Sequence, residues 1–348
     1  MRDMPSGSSA GVEGFSESDI DEVAGLYSGR SVMVAGGTGM IGRELVGLLD
    51  AAGASVSVSG LDDPRVAEQI LPQAVEYCQF DWSAGRATEL LRDREVVFNL
   101  LGRKGSVGIG ESKVASYLLP MLRFQANLVE SAHDAGVQEF LFVSSLNVYP
   151  QSARHFEDNA WNGMPLQNDR IPGIGKRVGE ILGLAFELEF GWDAVRIVRP
   201  ANVYGPNDVL DPIGSHVIPS LIRKLILDTS GTVEVWGDGS AIRDFIYSKD
   251  CAFWIAKAAT NLPANTPTNL GSGDGVSIRD LALLIRRLVG YHGELRFAPD
   301  MPTGDPVRVL DMGRAKDLLG WMPKTSLEAG LTATIQWANE ALSERNKT

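Results

Sequence analysis

The chain has 348 residues, which suits one large domain with a smaller lobe. A hydrophobic share of 44% against a charged share of 22% is that of an ordinary globular protein, and the net charge of −12 excludes the broad basic footprint that a nucleic-acid or anionic-membrane binder needs. The two cysteines, Cys78 and Cys251, and the four histidines, His133, His155, His216 and His292, show no disulfide or metal-ligand spacing, so the expectation is a cytoplasmic protein without a metal site.

The Ser- and Gly-rich start carries no hydrophobic signal core, and residues 1–28 are expected as a flexible tail with a short acidic helix over 16–27. No run of about 18 apolar residues follows that would cross a membrane. Arg30 to Ala35 reads as a buried strand, Gly36 to Gly42 as a glycine-rich turn, and 40–52 as a helix with Ile41, Leu45, Leu48 and Leu49 at helical spacing. Further strands are expected over 54–59, 95–101, 140–144 and 195–199, with amphipathic helices over 118–135 and 176–190. Strands alternating with helices imply a Rossmann-type, doubly wound parallel sheet over 29–201. After Asn202 Pro and Gly become frequent, and 202–348 reads as a smaller substrate lobe interleaved with the last sheet elements, ending in a helix near 327–342.

The turn Gly36-Gly37-Thr38-Gly39-Met40-Ile41-Gly42 lies between a strand and a helix. Glycines there let the backbone turn tightly and approach a pyrophosphate, whose charge a helix N-terminus stabilises. The second strand should end near an acid for the adenosine ribose; Asp62 is the candidate, and no Lys or Arg stands at that strand end to meet a 2′-phosphate. NAD is therefore favoured slightly over NADP.

Six further segments complete a pattern: Phe142-Val143-Ser144-Ser145-Leu146-Asn147-Val148-Tyr149-Pro150, Lys176-Arg177-Val178-Gly179-Glu180, Asn202-Val203-Tyr204-Gly205-Pro206, Ser215-His216-Val217-Ile218-Pro219, Trp236-Gly237-Asp238-Gly239 and Leu319-Gly320-Trp321-Met322-Pro323. Together they resemble the extended short-chain dehydrogenase/reductases that act on nucleotide sugars, most of all the GDP-fucose synthase branch. The resemblance implies catalytic roles for Ser145, Lys176 and His216, with Asn147 at the position of the branch's cysteine base. It implies cofactor contacts from Gly36, Thr38, Gly39, Met40, Ile41, Gly42, Asp62, Asp81, Trp82, Leu100, Leu101, Gly102 and Lys176. Substrate contacts would come from Arg103, Ser145, Asn202, His216, Lys224, Trp236, Arg243 and Arg308. It also implies a homodimer paired through the helices of 118–135 and 176–190, and a nucleotide-sugar substrate, GDP-linked in this branch.

The family's acid/base tyrosine stands four residues before the lysine. Here that position is Pro172, which has no proton to give. Asn147 is no base at neutral pH, so a double epimerisation by two bases is not expected. Three readings stay open: an epimerase working beside the ketone of a 4-keto sugar through His216; a reductase, 4-epimerase or dehydratase with a substitute acid; and a dinucleotide-binding sensor or scaffold without activity.

Overall fold

The computed structural model describes residues 14–102, 114–212, 215–301 and 305–345. The expected tail therefore lies outside the described residues up to position 13. The helix after it, α1 (Glu17–Tyr27), is fixed at its start by Ser16, whose hydroxyl accepts from the Asp19 amide while the Asp19 carboxylate accepts from the Ser16 amide. It is docked through buried Val23 and Tyr27, and the Tyr27 hydroxyl donates to the Ala256 carbonyl.

The strand-helix alternation then runs β1 (Ser31–Ala35), α2 (Met40–Ala51), β2 (Ser55–Gly60), α3 (Pro64–Ile70), β3 (Glu76–Gln79), α4 (Thr88–Leu91), β4 (Val96–Asn99), α5 (Val114–Asp134), β5 (Glu139–Val143), α6 (Arg170–Phe190) and β6 (Val195–Pro200). Near-continuous apolar runs make β1, β4 and β5 strands buried on both faces. The second half follows with β7 (Asn202–Tyr204), α7 (Val217–Leu227), β8 (Thr232–Trp236), β9 (Ile242–Tyr247), α8 (Ser248–Asn261), β10 (Thr268–Leu270), β11 (Gly275–Ser277), α9 (Ile278–Val289), β12 (Glu294–Ala298), β13 (Val307–Arg308), α10 (Gly313–Leu319) and α11 (Leu327–Arg345).

Seven strands form one parallel sheet in the order β10-β6-β5-β4-β1-β2-β3. The order reverses between β1 and β4, the crevice where open α/β sheets take their ligands. Residues of α1, α2, α8 and α10 share one core with the sheet, and α5 packs on the opposite face. A third core joins α7, α9 and α11 to a four-stranded sheet of β7, β9, β11 and β13 and to the β8–β12 pair. Two helices begin earlier than their periodicity suggests. In α6 the start at Arg170 places Pro172 in the first turn, where its missing N–H leaves no bond unmade. In α5 the start at Val114 takes in Pro120. Among the described residues no helix is long and apolar enough to cross a membrane.

Arg199 of β6 and Glu180 of α6 form a bidentate ion pair, 2.9 Å from Nε to Oε1 and 2.7 Å from Nη2 to Oε2, with side chains 1% and 4% exposed. Burial disfavours the Arg199 charge, but the bonds to Glu180 outweigh it and hold the guanidinium above its usual range. Ser144 donates to the same carboxylate at 2.5 Å, and Arg199 also donates to the Tyr149 hydroxyl and the Glu157 carbonyl. Removing one charge strands the other in the core, so Glu180→Leu is expected to cost about 3–5 kcal/mol in urea unfolding. Adding Arg199→Met should recover part of that loss; a double variant as unstable as the sum of both singles would show that the ion pair is not the cause.

Candidate active site

The glycine-rich turn closes on the start of α2. Gly36 has φ +85°, and its amide donates to the Ser59 carbonyl at 2.7 Å. A Cβ on Gly42 would lie 2.5 Å from the Gly36 carbonyl oxygen, so only glycine lets the helix meet the turn here. Gly39 caps α2 with no side-chain bond, leaving the N–H groups of the first turn, with Met40 and Ile41, for an anion. Asp62, just past β2, accepts from the Thr38 hydroxyl at 2.5 Å, which brings the ribose candidate against the turn. Leu100, Leu101 and Gly102 follow β4 across from Gly36, and a Cβ on Gly102 would meet nothing within 4 Å among the described residues. These features fit a dinucleotide. Asp81 is exposed after β3 and accepts from the Ser83 amide. Trp82 follows it with its ring 1% exposed and its indole N–H donating to Ser59, so its side chain packs the core.

Across the crevice, Ser145 follows β5 and caps the short turn Leu146–Val148, its hydroxyl accepting from the Asn147 amide at 3.2 Å. Lys176 reaches from α6 to the ends of β4 and β5, donating to the Leu101 carbonyl at 3.2 Å and the Val143 carbonyl at 2.7 Å. Burial pulls its pKa down to about 8, with the Glu180 charge acting the other way. Pro172 stands one turn earlier on the same helix. A Cβ on Gly173 would lie 2.2 Å from the Asn147 carbonyl oxygen, so α6 begins pressed against the Ser145 turn. Tyr149 and Tyr204 are buried, with hydroxyls donating to the Asn269 side chain and the Leu327 carbonyl, and burial raises both above the usual range. Neither is placed as a replacement acid.

The candidate anion-binding residues come from the second half. Strands β9 and β13 run parallel with Arg243 opposite Arg308, which sets two guanidiniums side by side. Burial, then the Arg308 charge, lower Arg243 to about 10, opposed by Asp305 and Asp169. Arg308 donates to Asp169 at 2.6 Å and to the Asn147 side chain at 3.0 Å. Asn147, expected among the catalytic groups, is thus an acceptor that holds Arg308. Asp169 escaped the sequence reading; its one signal is its place immediately before α6. Asn202 donates through its side-chain amide to the Asp244 carbonyl at 2.8 Å, a bond that links β7 to β9. Lys224 lies 5.8 Å from the Trp236 ring centroid and donates to the Glu234 carbonyl, so these two substrate candidates do meet, with Trp236 52% exposed. His216 is exposed at the N-cap of α7. Arg103 lies outside the described residues. Among the described residues no cluster of His, Cys, Asp and Glu is arranged for a metal.

Residues 32–271 match the sequence family described as the NAD dependent epimerase/dehydratase family. The chain is 30% identical over 317 residues to a GDP-L-fucose synthase of Sinorhizobium fredii, covering 89% of this chain and 96% of that one. It is 30% identical over 332 residues to a dTDP-4-dehydro-6-deoxy-D-allose reductase of Streptomyces bikiniensis, covering 90% and 98%. A crystal structure of the UDP-glucose 4-epimerase of Thermotoga maritima with UDP-glucose superposes with a TM-score of 0.77 at 27% identity, covering 90% of this chain and 99% of the other.

The desolvated Lys176 gives a direct test of the site. In the ligand-free protein its ε-carbon NMR signal, assigned by its loss in Lys176→Arg, is expected to titrate with a midpoint near 8. A midpoint above 10 would mean that the ammonium keeps its hydration. Because the folded chain releases this proton at lower pH than the unfolded chain, the Lys176 contribution to stability rises from about pH 8 towards its ordinary value of 10.5.

Proposed function

The chain belongs to the NAD dependent epimerase/dehydratase family, and from that premise we propose that it is an epimerase acting beside the ketone of a 4-keto, GDP-linked sugar. The observation that carries this reading is the pairing of Pro172 with Lys176 on the first turns of α6, while Ser145 and the two arginines remain in place. On this reading Arg243, Arg308 and Ser145 would hold a diphosphate and a developing oxyanion, while Pro172 stands where a tyrosine would protonate a reduced ketone.

Each step follows from the side chains present. Arg243 and Arg308 hold the diphosphate through fork-shaped bonds. His216 removes the acidic proton beside the ketone, and the Ser145 hydroxyl donates to the enolate oxygen that forms. The Lys176 ammonium adds positive potential. Water on the opposite face of the enolate returns a proton to the carbon and inverts it, and His216 passes the proton that it took to solvent. The backbone of 36–42, the α2 N-terminus, Asp62 and Lys176 would hold a nicotinamide dinucleotide, which supplies hydride transfer when bound. NAD is favoured because Asp62 and Asp63 would repel a 2′-phosphate, and Arg65 is already bound to Asp63 at 3.0 Å. The reductase reading has one observation in its favour: Lys176, with a pKa near 8, is itself an acid of suitable strength.

One incubation separates these readings. With GDP-4-keto-6-deoxymannose in D₂O, deuterium is expected at a carbon beside the ketone with no change in nicotinamide absorbance, better supported by NAD⁺ than by NADP⁺. His216→Asn should slow the exchange by about 10²–10⁴. Oxidation of added NADH with a new hydroxyl on the sugar would favour the reductase; no exchange and no oxidation would rule out both activities on this substrate.

We further infer a homodimer working in the cytoplasm. Leu119 on α5 and Ile181, Leu184, Leu188 and Phe190 on α6 are 45–78% exposed, and the first three α6 positions recur at helical spacing on one face. A second copy of that face would cover them as a four-helix seam. Sedimentation should find a dimer, and Leu184→Arg with Leu188→Arg a folded monomer; a monomeric wild type would end this part of the reading.

A further inference from the structure

Arg43, in the first turn of α2, joins two segments that the catalytic reading treats separately. Its Nε donates to the Thr38 carbonyl at 2.9 Å, inside the glycine-rich turn. Its Nη1 donates to the Asn207 side-chain oxygen at 3.0 Å, across 164 residues of sequence. Asn207 takes φ +66°, a left-handed conformation that asparagine tolerates, and opens the segment leading to α7. At the far end of that segment the Ser215 hydroxyl donates to the Val209 and Asp211 carbonyls at 2.7 and 2.6 Å, immediately before His216. The near end is held by α8: a Cβ on Gly205 would lie 2.1 Å from the Ser248 hydroxyl oxygen. Thr38 also bonds Asp62, and Asp62 is the first of the charges that support the Arg43 cation against its partial burial.

A continuous set of bonds thus runs from the ribose carboxylate, through the turn and the Arg43 fork, to the segment that presents His216. We propose that Arg43 is a positioning residue that couples dinucleotide binding to the ordering of residues 207–212, to which Ser215 ties the start of α7. A dinucleotide on the turn fixes the Thr38 carbonyl and Asp62. Arg43 then has one geometry that serves both ends, and Asn207 is held by it. Lysine cannot replace the fork, since one ammonium does not reach two acceptors with parallel N–H groups.

The proposal rests on the dinucleotide part of the functional reading and needs nothing of the sugar. Its test is amide hydrogen exchange with and without saturating NAD⁺, followed over 36–42 and 207–212. In the wild type both segments should be protected, the second by about fivefold or more, the lower end of ordinary coupling between sites. Arg43→Met should keep the protection of 36–42 and lose that of 207–212. Asn207→Gly, which removes the side-chain oxygen while tolerating the left-handed backbone, should do the same. Protection of 207–212 that survives in both variants, or that is absent from a wild type whose turn is protected, overturns the proposal. A turn that NAD⁺ leaves unprotected overturns the dinucleotide reading, and this proposal with it.

Discussion

The buried ion pair between Arg199 and Glu180 is the constraint on which the site depends. Two charges removed from water repay that cost only when every remaining donor and acceptor is bonded. Here Glu180 also accepts from Ser144, and Arg199 also reaches Tyr149 and the Glu157 carbonyl. Those partners lie immediately after β5, on the segment after Ser145, and on the loop before α6. The pair therefore fixes the backbone on both sides of Ser145 against α6. Arg177 adds to this from the helix, donating to the Val148 carbonyl through two nitrogens and to Gly163. Lys176 is one turn from Glu180 on the same helix, so fixing Glu180 also aims Lys176 at the strand ends.

The second constraint is the distance between α6 and its neighbours. Gly175, Gly179 and Gly183 recur every four residues along one face. A Cβ at these positions would lie 2.7 Å from the Met121 sulfur, 2.3 Å from the Phe142 ring and 2.7 Å from Val195. The seam lets α6 lie low on the sheet and against α5, which brings the Lys176 amine within 2.7 Å of the Val143 carbonyl. The same closeness strips water from that amine and lowers its pKa. Packing and chemistry on this helix are one arrangement: a bulkier seam would lift the lysine away from the strand ends and return its solvent.

What could be read from the sequence was local. The turn over 36–42, the strand before it and the helix after it are contiguous, so spacing alone revealed them; Ser145 and Lys176 also sit in short recognisable segments. What the sequence did not show are contacts across the chain. Trp82 follows Asp81, and its ring turns inward to Ser59. Asp169 carries no motif, and its role comes from Arg308, 139 residues away. Arg43 carries no motif of its own, since Asn207 stands beside it only after the second half folds back. Asn202 shows the converse: a motif residue whose amide is spent on joining two strands.

The electrostatics also reconcile an acidic protein with an anionic substrate. The net charge of −12 would repel a nucleoside diphosphate if it were spread evenly. Instead β9 and β13 pair Arg243 directly with Arg308, and two like charges held this close in a partly buried place destabilise each other. Asp169 and the Asn147 side chain relieve Arg308 of that repulsion. A diphosphate arriving between the two guanidiniums would supply the same relief to both, so it competes with Asp169 for Arg308. Under the proposed function, binding of the anion there would be felt beside Ser145, because Asn147 and Asp169 flank the turn that Ser145 caps and the helix that carries Lys176. Binding energy from the remote diphosphate can in this way reach the reacting carbon through side chains that never touch it.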